Sequence, residues 1–144
     1  MLHALECVAA PLVRHRLFSA TAVHLDVMEV ERLHSTHPGD YPVGGRKPIT
    51  DSPWMQQVMQ QGQPYIGRTA DDIRDVFFDH ALIESLGCRS VLNIPLRWQG
   101  ETLGTLNMLH EENWYGDGHV ELARVFAQLA VPAVMAQQTK ETIA

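Results

Sequence analysis

Gly87-Cys-Arg-Ser-Val-Leu-Asn-Ile-Pro-Leu-Arg-Trp-Gln-Gly-Glu-Thr-Leu-Gly-Thr-Leu-Asn-Met-Leu-His110 decides the fold. Ser90 to Trp98 and Thr102 to Leu109 are both rich in strand-forming residues, and the Gln99-Gly100 pair between them can take the positive φ of a tight two-residue turn. The stretch therefore reads as a β-hairpin. Neither arm separates an apolar from a polar face: Leu92, Ile94, Leu96 and Trp98 fall on one side of the first arm, and Val91, Asn93 and Pro95 on the other. Such strands belong inside a sheet covered on both faces. Pro95 has no N–H to give the ladder, so a bulge or an unpaired gap is expected there.

Working outward, Asp117 is placed to cap a long final helix with an apolar stripe of Val120, Ala123, Phe126, Leu129, Ala130, Ala133 and Val134, kinked at Pro132. Upstream, Gly87 ends two short helical pieces, Asp71 to Phe77 and Asp79 to Leu86, which follow a short strand from Pro64 to Arg68. Asp51 or Ser52 caps a helix with Pro53 in its first turn, running to Gly62. Residues 38–53 hold four prolines and three glycines and read as a long binding-side loop. Leu17 to Asp26 is an interior strand, and Val30 to His37 a more polar edge strand. At the start, Leu2, Leu5, Val8, Ala9, Leu12 and Val13 make the stripe of an amphipathic helix weakened by Pro11.

A chain of 144 residues, 45% hydrophobic and 19% charged, is one globular domain over residues 1–144. The net charge of −6 argues against nucleic acid as a partner. No apolar run approaches a membrane span, the first residues lack the pattern of a secretory signal, and the expected compartment is the cytoplasm. Cys7 and Cys88 are too few for a disulfide framework. The closest histidine pair, His34 and His37, points to opposite faces of a strand, and His110-Glu111-Glu112 is as loose, so no metal site is expected. There is no nucleophile elbow, phosphate loop or dinucleotide fingerprint.

Leu86-Gly87, Ser90-Val91-Leu92-Asn93-Ile94-Pro95-Leu96, Gly100 and Leu103-Gly104-Thr105-Leu106 together resemble the signature of GAF domains, and the order of elements fits from end to end. The resemblance implies an α+β, PAS-like fold: an antiparallel sheet of five or six strands in the order 2-1-5-4-3, with the terminal helices on one face. The long loop and short helices would form a pocket on the other face. It also implies a sensory module that binds a small organic ligand and signals through a protein partner or a homodimer made by the terminal helices.

Within that family, bilin-binding phytochromes carry a Cys-His pair where this chain has Asp79-His80, so the thioether to a bilin cannot form and no covalent cofactor is expected. Leu109 to Gly116 lacks the Lys and Phe seen in cyclic-nucleotide-binding relatives, which disfavours cyclic nucleotides. Free methionine-(R)-sulfoxide reductases are GAF proteins of similar length, and the alternative enzymatic reading makes Cys88 the nucleophile with Arg89 beside it to favour the thiolate. A third reading is a ligand-free interaction scaffold with a filled pocket.

The candidate ligand-binding residues follow from chemistry at specific positions. Asn93 and Asn107 are amides in apolar strands, where an unpaired buried amide costs ~1–3 kcal/mol, so each needs a protein partner, a water or a ligand. Thr105 shares a strand face with Asn107. Tyr41, Trp54, Trp114 and Tyr115 are candidate aromatic walls. Arg46 and Lys47, after Gly44-Gly45, could cradle an anion. Asp79 and His80 complete the set.

Overall fold

The computed structural model describes residues 1–143 of the chain. Its strands are β1 (Leu17–His24), β2 (Glu29–Ser35), β3 (Arg46–Pro48), β4 (Tyr65–Gly67), β5 (Ser90–Trp98) and β6 (Glu101–His110). Its helices are α1 (Leu2–Val13), α2 (Pro53–Met55, continued by a π-helical turn at Gln56–Gln60), α3 (Ala70–Val76), α4 (His80–Ser85) and α5 (Asp117–Ile143). The strands form one antiparallel sheet in the order β3-β2-β1-β6-β5-β4. The five expected strands lie in the expected sequence, and the sheet gains β3 at its edge. The sequence places that segment in a loop, because three residues are too few to show a strand's period.

The hairpin forms as its sequence requires. Gln99 and Gly100 take φ of 51° and 79°, the left-handed pair of a two-residue turn. Every side chain from Ser90 to Leu96 is buried, so β5 is an interior strand. Opposite Pro95, β6 supplies Thr105, but β4 has already ended at Asn93, and the register shift falls one step further on, between Leu96 and Arg97. The proline sits where one ladder has stopped.

Strand alternation then sorts the side chains. Phe18, Ala20 and Ala22 of β1, Leu92, Ile94 and Leu96 of β5, and Leu106 and Met108 of β6 meet α1 and α5 in the larger core. Leu17, Val91 and Leu109 point the other way and pack with Ile73, Ile83 and Cys88 beneath α3 and α4. The Ala20–Thr21 step of β1 faces a bulge in β2, where Leu33 is the extra residue. Leu33 and His34 consequently both reach the helix side, Leu33 against the core and His34 edge-on to Phe18.

The helices differ from expectation in which residues they bury. Of the expected stripe on α1 only Leu5, Ala9 and Val13 are buried, while Val8 and Leu12 stand in solvent. On α5 the buried set is Val120, Ala123, Phe126, Ala127, Ala130, Val131 and Val134, and Leu129 is exposed. Asp117 lies inside the first turn instead of capping it, and the Gly116 carbonyl accepts from His119 and Val120. The span Asp117–Gln138 is long and apolar enough by composition to cross a membrane; one apolar side of it packs on the sheet and α1, while Leu122, Val125, Leu129 and Met135 are exposed.

Candidate functional site

On the sheet face away from α1 and α5, adjacent interior strands place three polar side chains in a row. Ser19 of β1 pairs with Asn107 of β6, which pairs with Asn93 of β5. Asn93 Nδ2 donates to Asn107 Oδ1 at 2.8 Å, and Asn107 Nδ2 donates to Ser19 Oγ at 3.1 Å. Trp54 closes the row, its indole Nε1 donating to Asn93 Oδ1 at 3.0 Å. Local sequence puts Trp54 there: Ser52 Oγ accepts from the Met55 N–H, and Pro53 supplies the helical φ of the first turn. The π-helical turn that follows is a geometry often found at functional sites.

A charged flank lies beside this strip. Tyr41 Oη donates to Asp79 Oδ2 at 2.6 Å, and the Arg32 guanidinium stacks over the Tyr41 ring at 4.9 Å. Burial and the Asp79 carboxylate hold the Tyr41 phenol well above its ordinary range, so it stays a donor. The Lys47 ammonium sits over the Trp54 ring at 5.3 Å, and burial lowers its pKa. Among the described residues no hydrogen bond ties it down.

The anion cradle expected of Arg46 and Lys47 does not form. Because residues 46–48 are a strand, the two side chains alternate. Lys47, opposite Val30, faces Trp54, whereas Arg46, opposite Glu31, pairs with Glu29 and Glu31 on the other side. Thr105 does share a face with Asn107, but its hydroxyl is committed to Thr21 Oγ1 at 2.7 Å and is fully buried. His80 lines a void of about 10 Å³ with Cys88, Glu84 and Arg74, barely one water's worth. Trp114 and Tyr115 are not walls of this strip. They bind the end of α1 to the sheet through the Val13 and Arg14 carbonyls, and Trp114 stacks on His110. They also line an open groove of about 450 Å³ with Leu12, Arg68 and His119.

Cys88 is 1% exposed, and burial pushes its thiol up to about 11, so it is not a thiolate at neutral pH. Arg89, expected to activate it, pairs with Glu84 instead. Cys7 is exposed on α1, which covers the opposite face of the sheet. Two residues of the site escaped the sequence. Ser19 is a small hydroxyl in a largely apolar strand and gains meaning only from its register with Asn107. Arg32 reaches Tyr41 because the bulge resets β2 to face Thr21.

A six-stranded antiparallel sheet with terminal helices packed on one face and a polar strip under short helices on the other defines an α+β fold. The chain belongs to the GAF domain family, whose model matches residues 3–134. GAF domains are typically sensory ligand-binding modules of signalling proteins. Among solved structures, the chain is similar to the GAF domain of a two-component sensor histidine kinase from Bacillus halodurans, with 15% identity, 97% of this chain and 95% of that chain covered, and a TM-score of 0.77. It is similar to the GAF domain/HD domain protein from Geobacter sulfurreducens, with 13% identity, coverages of 95% and 91%, and a TM-score of 0.76. A type II free methionine-R-sulfoxide reductase from Thermoplasma acidophilum also matches, at 11% identity, coverages of 94% and 89%, and a TM-score of 0.70. At these identities the likeness is one of fold. No curated protein matches the sequence.

Proposed function

We propose that this domain is a sensory module whose small-molecule site is the Ser19–Asn107–Asn93 strip, with Trp54 as its cover and Lys47, Tyr41 and Asp79 at its rim. The observation that carries this reading is the row of amides across the interior strands, capped by a side chain from a short, irregular helix. A sheet that needed only stability would place apolar residues there, since replacing both members of a buried hydrogen-bonded pair by apolar groups can be nearly neutral. Lys47 brings an ammonium with donors to spare, so the favoured ligand is a small organic molecule bearing an anionic group and an amide-complementary edge. Entry requires Trp54 to leave Asn93.

The output side of the proposal is the outer surface of the terminal helices. Val8 and Leu12 of α1 and Leu122, Val125, Leu129 and Met135 of α5 are exposed, an apolar surface suited to a second copy or a protein partner. Trp54 already occupies the strip, and that observation favours a second reading, a closed GAF scaffold that acts only through those helices.

Comparing native with denaturing mass spectra of freshly purified protein separates the two. A reproducible extra mass in the native spectrum, lost on Asn107→Leu, supports the sensor. A bare mass, together with no change in melting temperature across a panel of small organic anions, overturns it in favour of the scaffold. Sedimentation at micromolar concentration tests self-association, and a strict monomer removes the homodimer.

A further inference from the structure

The helix-side face of the sheet carries a second cluster that the sensor reading does not use. His3 and Glu6 lie one turn apart on α1, and His34 reaches them from β2, brought to that face by the bulge at Leu33. The ligating atoms of His3, Glu6 and His34 all lie within 4.8 Å of one another. His34 Nε2 stands 3.9 Å from Glu6 Oε1, too far for a hydrogen bond, and it is shielded from solvent with no hydrogen-bond partner. The other carboxylate oxygen, Oε2, is 3.7 Å from His15 Nε2. Cys7 Sγ lies 3.7 Å from His3 Nε2 on the outer side of the cluster.

Each of these groups offers a lone pair, and they face one another. A buried imidazole nitrogen without a partner costs free energy unless something fills the space between. We propose that His3, Glu6 and His34 form a binding site for a divalent transition-metal ion of the zinc class, with Cys7 beside His3 on its outer side and His15 beside the far carboxylate oxygen. Two imidazoles and a carboxylate are ordinary ligands of such an ion. A tetrahedral ion with bonds of about 2.0–2.2 Å sets its donors roughly 3.5 Å apart. Closing the observed spacings, 3.9 Å between His34 and Glu6 and up to 4.8 Å overall, to that value would need movement of exposed His3 and of the Glu6 carboxylate. The ion would tie the first turn of α1 to β2.

The sequence gives no hint of this site, because the ligands come from a helix and a strand 28 residues apart, and the bulge alone turns His34 toward the helix.

The test is zinc chloride titrated into tag-free protein by calorimetry, with metal content confirmed after dialysis. One ion per chain is expected, together with a rise in melting temperature on zinc addition. His3→Ala, at an exposed position, and His34→Gln are each expected to weaken binding at least tenfold and to abolish that rise, while His119→Ala, remote from the cluster, leaves both unchanged. No uptake by the wild-type protein overturns the proposal. So does uptake that survives His3→Ala and His34→Gln in variants whose circular dichroism shows them folded.

Discussion

The Trp54 indole rests on Asn93, its N–H donating to the amide oxygen at 3.0 Å, and through that one bond an irregular helix is latched to the middle of the sheet. Asn93→Leu therefore strips two partners at once, leaving Trp54 Nε1 and Asn107 Oδ1 unpaired. It is expected to cost about 1–3 kcal/mol in urea denaturation. Adding Asn107→Leu should cost less than the sum of the single changes by roughly 1 kcal/mol, because the second substitution removes an acceptor already orphaned. Strict additivity would show that the strip is not a coupled network.

Gly104 pairs with Ala22 across β1 and β6, and a Cβ there would run into the Thr21 carbonyl oxygen. Backbone cannot yield as a side chain can, so Gly104→Ala should destabilise by about 3 kcal/mol or more. Gly100→Ala meets open space and carries only the strain of φ 79°, roughly 1–2 kcal/mol. Chemical denaturation of the two variants checks the ranking. Equal losses would mean that β1 and β6 can separate at little cost.

Cys7 and Cys88 should label at very different rates. Exposed Cys7 is expected to react with iodoacetamide in the native state, while buried Cys88, its thiol pushed up to about 11, reacts only on unfolding. Peptide mass spectrometry of a labelling time course reads this directly, and fast labelling of Cys88 would revive the reductase reading. The same argument predicts no thiol-dependent reduction of methionine sulfoxide.

His110 stacks on Trp114 at 4.2 Å, and its Nδ1 accepts the Glu111 N–H at 2.7 Å, an arrangement that needs neutral imidazole. Burial, then the nearby Arg16, lowers its pKa below 6.5. A base with a depressed folded pKa takes up its proton first in the unfolded chain. Its contribution is therefore present above about pH 6.5 and is lost as pH falls from there toward the folded value. Melting temperatures between pH 7.5 and 5.5 should decline, and His110→Gln should flatten part of that decline. An unchanged slope would remove His110 from the account.

The hairpin was legible because its signals are local: a turn pair with positive φ and two arms rich in strand-forming apolar residues. The need of Asn93 and Asn107 for partners was legible too, since an amide in an apolar strand has to be satisfied somewhere. What the partners are was not. Trp54 lies 39 residues before Asn93 and Ser19 lies 88 before Asn107, and only the assembled register brings them together. Arg46 and Lys47 looked alike as neighbours in a loop, and three residues of pairing with β2 were enough to send them to opposite faces. The exposed apolar residues of α1 and α5 depart from the expected stripes for a related reason. An apolar stripe shows which residues can be buried, but the width of the surface it meets decides which of them are.

Both margins of the sheet are three residues long, β3 on one side and β4 on the other. A visiting strand would find a ladder of only about 10 Å, and on one side it would meet Arg46, Lys47 and the N–H-less Pro48. Each edge strand thus offers an incoming strand little to pair with, and edge-to-edge growth of the sheet into a ribbon is disfavoured at both β3 and β4.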